Sequence, residues 1–301
     1  NTGKRMTTHP VWIDKDEYPL TPRYAKVPAG MMHYIDEGTG ETIVMVHGTP
    51  AWSFLYRTMI KILMKGYRCL APDHIGFGLS DKPEDFSYKP EHHARNLEKW
   101  ITDLNLKDIT LIVHDFGGPI GLHYALKHPE NVKRIVIMNT FMWSFESEKH
   151  FAQASKLLGG ALGRFLYKQW NFSPKVMLKM SFSDKSKLTK HIHNHYLRAF
   201  PTPQSRTSTA VLAKELIGSS AWFDSLWKQR SNIADIPTLL LWGMKDTAFR
   251  AIELEKFESF LKNATVIRLP DCGHFVQEEY DEAGTIIKGW IEKTEKVLEN
   301  N

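Results

Sequence analysis

The chain has 301 residues, 42% hydrophobic and 12% aromatic, with a formal net charge of +5, which is enough apolar material for one large core. No run approaches the roughly 20 apolar residues that cross a bilayer, and the lysines are scattered, so neither a membrane nor a nucleic-acid partner is expected. Cys69 and Cys272 alone are too few for a disulfide framework or a metal site, and Asn1–Thr7 lacks the apolar core of a secretory leader, so a cytoplasmic setting is expected.

In chain order, His33–Gly38 closes an early hairpin, and the strand Glu41–Val46 runs into His47-Gly48-Thr49-Pro50. A helix over Phe54–Leu63 precedes the buried strand Arg68–Pro72, and another covers Pro90–Leu104. The run Leu111-Ile112-Val113 leads through His114-Asp115-Phe116-Gly117-Gly118 into a helix at Pro119–Lys127, and Arg134–Met138 is the next strand. From about Ser144 to Arg230 helical spacing takes over, with Phe151, Leu157, Leu158, Leu162, Phe165, Leu166 and Met177. Strands return at Pro237–Met244 and Thr265–Leu269, and a last helix spans Asp281–Leu298. Strands alternating with helices predict a mainly parallel α/β sheet covered on both faces. Residues 144–230 read as a helical cap inserted into an α/β core made of 1–143 and 231–301.

The most informative stretch is the break after Val113, where a strand turns through small residues into a helix and leaves Asp115 at the apex. Hydrolases of the α/β class present their nucleophile on such an elbow, with the next backbone N–H free to bind an oxyanion. A carboxylate there suits displacement at an alkyl carbon, which yields an ordinary ester; the ester then needs a general base and an acid to orient it. Asp246 follows the strand at Pro237–Met244, and His274 follows Thr265–Leu269, giving the order nucleophile, acid, histidine. Alone, Asp115 reads as a turn residue, Asp246 as a helix cap and His274 as a loop histidine. Together, in fold order and each at a strand end, they read as a catalytic set. The backbone N–H groups of Thr49 and Phe116 are the expected oxyanion hole. His191, His193 and His195 alternate, but helical spacing splays them and no further ligand completes a metal site.

The segments His47–Arg57, Ala71–Pro83 and Gly273–Glu278, with the Asp115 elbow, resemble the haloalkane dehalogenases of the α/β-hydrolase superfamily. The resemblance implies Asp115 as nucleophile, His274 as the base that activates water and Asp246 as the acid behind it. One branch of the family carries the acid after the next strand, where this chain has Asn139. Family members also hold the departing halide with two N–H donors. Here Phe116 replaces the tryptophan after the nucleophile, Thr49 stands where some members have asparagine, and Phe165 falls near the cap tryptophan of one branch. Phe165, Trp143, Tyr167 and Trp170 are therefore the candidates for the substrate and leaving-group pocket.

The expected function is hydrolysis of the carbon–halogen bond of small haloalkanes through an aspartyl ester. No cofactor is expected, the partners are a small apolar substrate and water, and the chain is expected to be a monomer or weak homodimer. Epoxide hydrolysis with the same three residues, assisted by Tyr167 and Tyr196, is the alternative enzyme reading. A weakly active or ligand-binding relative is the alternative of another class.

Overall fold

The computed structural model describes residues 8–299; the expectation about a leader rests on Asn1–Thr7, outside that range. Eight strands form one sheet: β1 (Arg23–Val27), β2 (Gly30–Glu37), β3 (Thr42–Val46), β4 (Arg68–Pro72), β5 (Ile109–Asp115), β6 (Val132–Thr140), β7 (Thr238–Gly243) and β8 (Ala264–Leu269). Their order is β1-β2-β4-β3-β5-β6-β7-β8. The pairs β1–β2 and β2–β4 are antiparallel and the remainder parallel, which is the α/β-hydrolase architecture. The hairpin lies earlier than expected: its turn joins Val27 to Gly30, and His33–Glu37 belongs to its second strand.

Every residue of β3, β5 and β7 is buried. Parallel strands covered on both faces have no wet side, so they read as continuous apolar runs rather than alternating ones. The edge strand β8 is mostly half-exposed. The sheet is covered by α1 (Arg57–Leu63), α2 (Pro90–Asp103) and α3 (Gly117–Lys127). Between β6 and β7 come α4 (Lys149–Gly159), α5 (Ala161–Trp170), a π-helical turn at Ser173–Met177 running into the short α6 (Leu178–Met180), α7 (Lys190–Arg198), α8 (Thr207–Gly218) and α9 (Ser220–Lys228). After β7 follow α10 (Ala251–Glu258), α11 (Val276–Glu279) and α12 (Ala283–Glu299). Helix α1 packs on α12 and α2 on α3. Cys69 and Cys272 are free thiols, both buried. Among the described residues no helix is long and apolar enough to cross a membrane.

One buried ionic cluster ties the cap to the core. Arg57 on α1 donates to both oxygens of Glu278 on α11, at 2.6 and 3.0 Å, and the Tyr196 hydroxyl of α7 donates to the same carboxylate. Breaking a buried pair leaves an uncompensated charge, which costs more than the intact pair contributes. Glu278→Leu is therefore expected to lower unfolding free energy by about 3–5 kcal/mol in urea titrations. Substituting the exposed pair of Lys262 and Asp235 is expected to cost under about 1 kcal/mol.

Candidate active site

The elbow after β5 sets the geometry. Asp115 has φ +53°, a left-handed conformation that few residues other than glycine adopt readily. The Thr140 hydroxyl donates to the Asp115 carbonyl oxygen, fixing the turn from the neighbouring strand. Gly117 follows because a Cβ there would stand 2.1 Å from the Val46 carbonyl oxygen, so only glycine lets α3 start this close to β3. The side chain of Asp115 is thereby aimed away from the sheet, and the Thr49 N–H donates to its Oδ1 at 2.8 Å. The Phe116 N–H lies near the same carboxylate and helps to lower its pKa. Gly48 leaves the needed space: a Cβ there would come within 2.1 Å of Asp115 Oδ1.

The other two residues arrive from strands on the same side. Asp246, in the turn after β7, accepts from the Ala248 N–H at 2.7 Å through Oδ1. Its Oδ2 accepts from His274 Nδ1 at 2.7 Å and from Asn139 Nδ2 at 2.9 Å. His274, in the loop after β8, turns its Nε2 to within 3.4 Å of Asp115 Oδ2. Its backbone is held at both ends, since its N–H donates to Ser181 at 3.0 Å and its carbonyl accepts from His114 Nε2 at 2.8 Å. His114 is thus a strand-end histidine bonded to backbone, and burial pushes its pKa down to about 3.

Burial alone would favour neutral forms, but the charges oppose it. Desolvation works against the His274 cation, yet the charge of Asp246 and hydrogen bonds to Asp115 and Asp246 outweigh it and raise the imidazole to about 10. Asp115 is likewise penalised by burial, but the hydrogen bond and charge of His274 hold its carboxyl below the usual range. The surroundings of His274 thus favour its imidazolium form. A group raised on folding stabilises the native state fully below its unfolded pKa, about 6.5 for histidine, and loses that contribution as pH rises through the folded value. Asp115 has the opposite sense, its contribution vanishing as pH falls. The melting temperature is therefore expected to decline between about pH 6.5 and 10, and Asp246→Asn is expected to flatten that decline in calorimetric scans.

Above Asp115 lies a cavity of about 450 Å³, a volume suited to one small ligand. Thr49, Phe116 and His274 form its floor, Phe249 and Phe275 line its sides, and Phe151, Leu158, Tyr167, Met177 and Leu216 come from the inserted helices. The sheet ends and the helical insertion thus bring Asp115, His274, Asp246, Thr49, Phe116 and Tyr167 to one place. The remaining pocket candidates are not there. Phe165 and Trp170 are 53% and 63% exposed. Tyr167 is the α5 residue that faces inward, so Phe165, two positions earlier, points to the opposite side, while Trp170 ends the last turn, whose Lys168 and Gln169 carbonyls accept from Arg206. Trp143 is buried, but it packs behind the cavity against Trp227 and Phe257. Tyr196 is engaged by Glu278. His191 pairs with Asp14, His193 bonds the Pro174 carbonyl and His195 stacks on Phe54, so the three histidines point to separate partners.

Asn139, noted in the sequence only as an amide in place of an acid, has a role of its own. Its side chain accepts from the Gly243 N–H at 2.8 Å and donates to Asp246, clamping the end of β7 and the acid together. Its φ of +28° at the end of a buried strand marks a position held by more than packing. The sequence signal was an amide where an acid stands in one branch of the resembled family.

Known proteins share this fold. Residues 41–281 match the alpha/beta hydrolase fold family. A cis-3-alkyl-4-alkyloxetan-2-one decarboxylase of Shewanella oneidensis is 36% identical over 276 residues, covering 88% of this chain and 86% of the relative. Haloalkane dehalogenase 2 of Mycobacterium tuberculosis is 31% identical over 268 residues, covering 88% and 93%. The crystal structure of haloalkane dehalogenase DatA from Agrobacterium tumefaciens superposes with a TM-score of 0.81 at 26% identity, covering 90% of this chain and 97% of its own.

Proposed function

This chain belongs to the haloalkane dehalogenase family of the α/β-hydrolase superfamily, and from that premise we propose that it opens small apolar alkyl electrophiles through a covalent aspartyl ester. The observation that carries this reading is the Asp115 carboxylate at the cavity floor, with one oxygen on the Thr49 N–H and the other facing His274. Oδ2 attacks a saturated carbon in line with its leaving group, forming a C–O bond as the leaving group departs with its electron pair. With a haloalkane the product of this step is halide and an alkyl ester. Esterification neutralises Asp115, removing one of the two negative charges that hold His274 protonated. His274 then releases its proton to solvent. Oriented by Asp246, the neutral imidazole takes a proton from water, which attacks the ester carbonyl. The Thr49 and Phe116 N–H groups stabilise the tetrahedral oxyanion, and collapse yields the alcohol and restores Asp115.

A specific observation favours a second leaving group. Among the described residues the cavity lining includes no tryptophan, asparagine or glutamine, and besides Asp115 and His274 its polar side chains are hydroxyls such as those of Thr49 and Tyr167, with the His150 imidazole where the cavity meets the surface. A free halide would depart among apolar rings with little stabilisation. The carboxylate of an opened β-lactone stays tethered and spreads its own charge, and an alkyl-substituted oxetan-2-one is the class named for the Shewanella relative. On such a ring, Asp115 would attack the oxygen-bearing carbon. The freed carboxylate would then leave as carbon dioxide while the C–C pair becomes an alkene bond and expels Asp115. No water enters that route. Epoxide opening is less favoured, because Tyr167 alone of its two candidate acids reaches the cavity.

The test is a comparison of a primary bromoalkane, a cis-dialkyl β-lactone and a terminal epoxide. Halide and alcohol support the first route, and alkene with carbon dioxide the second. Binding without any product and without modification of Asp115 would defeat both.

A further inference from the structure

The outer face of the inserted helices is neither a core surface nor an ordinary solvated one. On α4 and α5, which pack together, Leu157, Leu162, Phe165 and Trp170 are 68%, 65%, 53% and 63% exposed, and Met180 of α6 is 65% exposed. Single exposed apolar residues are common, but a cluster on adjacent elements marks an interaction surface. The helices that carry it are partnered on their other side, where α4 and α5 pack against α8. Interleaved with the apolar residues are Lys156, Arg164, Lys168 and Lys179. From Lys149 to Lys190 the sequence holds nine lysines and arginines against a single acidic residue, Asp184. The rest of the chain is net acidic, since the total charge is only +5. Lys187 is engaged by Asp281.

This face also borders the cavity. Met180 and His150 both line it and are exposed, so it reaches the surface at the start of α4 and at α6, next to the exposed Lys149 and Lys179. An amphipathic helix with leucine and phenylalanine among lysine and arginine lies in the plane of a membrane, inserting its apolar side chains while the cations meet anionic headgroups. We propose that the outer face of α4–α6 docks on an anionic lipid surface, so that apolar substrate passes from the bilayer past Met180 into the cavity. A second copy of the chain is a poorer occupant, because a two-fold contact would bring two strongly basic patches together. This surface departs from the expectation that no membrane partner is needed, which rested on spanning length and overall composition.

The test is co-sedimentation of the full chain with vesicles of phosphatidylcholine alone or with about a third phosphatidylglycerol, at low salt and at about 0.5 M salt. Binding at least about tenfold tighter to the anionic vesicles, and lost at high salt, is expected. Two surface variants separate the contributions: Arg164→Glu with Lys168→Glu, and Leu162→Ser with Phe165→Ser. Each is expected to weaken binding about tenfold with unchanged thermal melting, and since none of these residues lines the cavity, turnover of a water-soluble substrate should be unaltered. A chain that stays in the supernatant with anionic vesicles overturns the proposal. So does binding that survives both variants, or binding sensitive only to the charge variant. Concentration-dependent dimerisation of the parent chain that Leu162→Ser with Phe165→Ser abolishes would reassign the face to self-association.

Discussion

Replacing His274 by glutamine is expected to lower hydrolytic turnover by about 10²–10⁴-fold, the usual contribution of a positioned general base, while leaving the first displacement intact. Glutamine can fill the space beside Asp115 and accept or donate a hydrogen bond, but it cannot remove a proton from water. The ester should therefore accumulate, and the peptide containing Asp115 should gain the mass of the alkyl group when the protein is incubated with a bromoalkane. Asp115→Asn should abolish both the adduct and turnover. The experiment also separates the two leaving-group readings. Decarboxylation of a β-lactone uses no water, so under that route His274→Gln would keep producing alkene and would show no lasting adduct from the lactone. An unmodified Asp115 peptide, with bromoalkane demonstrably bound and no product formed, would remove the covalent step from the halide route.

Gly48→Ala should reduce activity by about 10²–10³-fold and also lower stability, because backbone must move to admit the methyl. The added methyl would stand 2.1 Å from Asp115 Oδ1, 2.4 Å from its Cβ and 2.6 Å from its Cγ, far inside van der Waals contact. Rotation can move the carboxylate but not Cβ, so the loop at Gly48 and the elbow must be pushed apart and the Asp115 side chain is displaced. It then leaves the Thr49 N–H, losing one oxyanion donor, an effect typically worth about 2.7–4 kcal/mol in the transition state, and loses its alignment with the incoming carbon. The measurement is kcat for the preferred substrate beside the urea midpoint: activity retained within about tenfold of the parent would show that the position of the Asp115 carboxylate is not critical.

Much of this protein was legible because the controlling signals are local. The strands at 41–46, 68–72 and 237–244 are continuous apolar runs, and β3, β4 and β7 occupy nearly those residues. The elbow is written in His114-Asp115-Phe116-Gly117-Gly118, where a strand must turn sharply and small residues permit the approach. Asp246 and His274 follow strands whose ends the parallel topology brings together, so their chain order already implied their meeting; the structure places them 2.7 Å apart.

What depended on rotation and packing did not show. Helical spacing identifies a cap but does not say which side of α5 faces the cavity; packing on α8 turned Tyr167 inward and left Phe165 outside. Asn139 looked like a missing acid and became the clamp on Asp246, because only the sheet register brings the end of β6 beside the end of β7. The charge on His274 is likewise a tertiary property, set by two carboxylates distant in sequence. The sequence by itself determined the fold, the elbow and the order of the three residues, since periodicity and turn chemistry act over a few positions. The tertiary structure decided the protonation of the site, the lining of its cavity and the basic apolar face around its mouth, since each arises from side chains that only long-range packing makes neighbours.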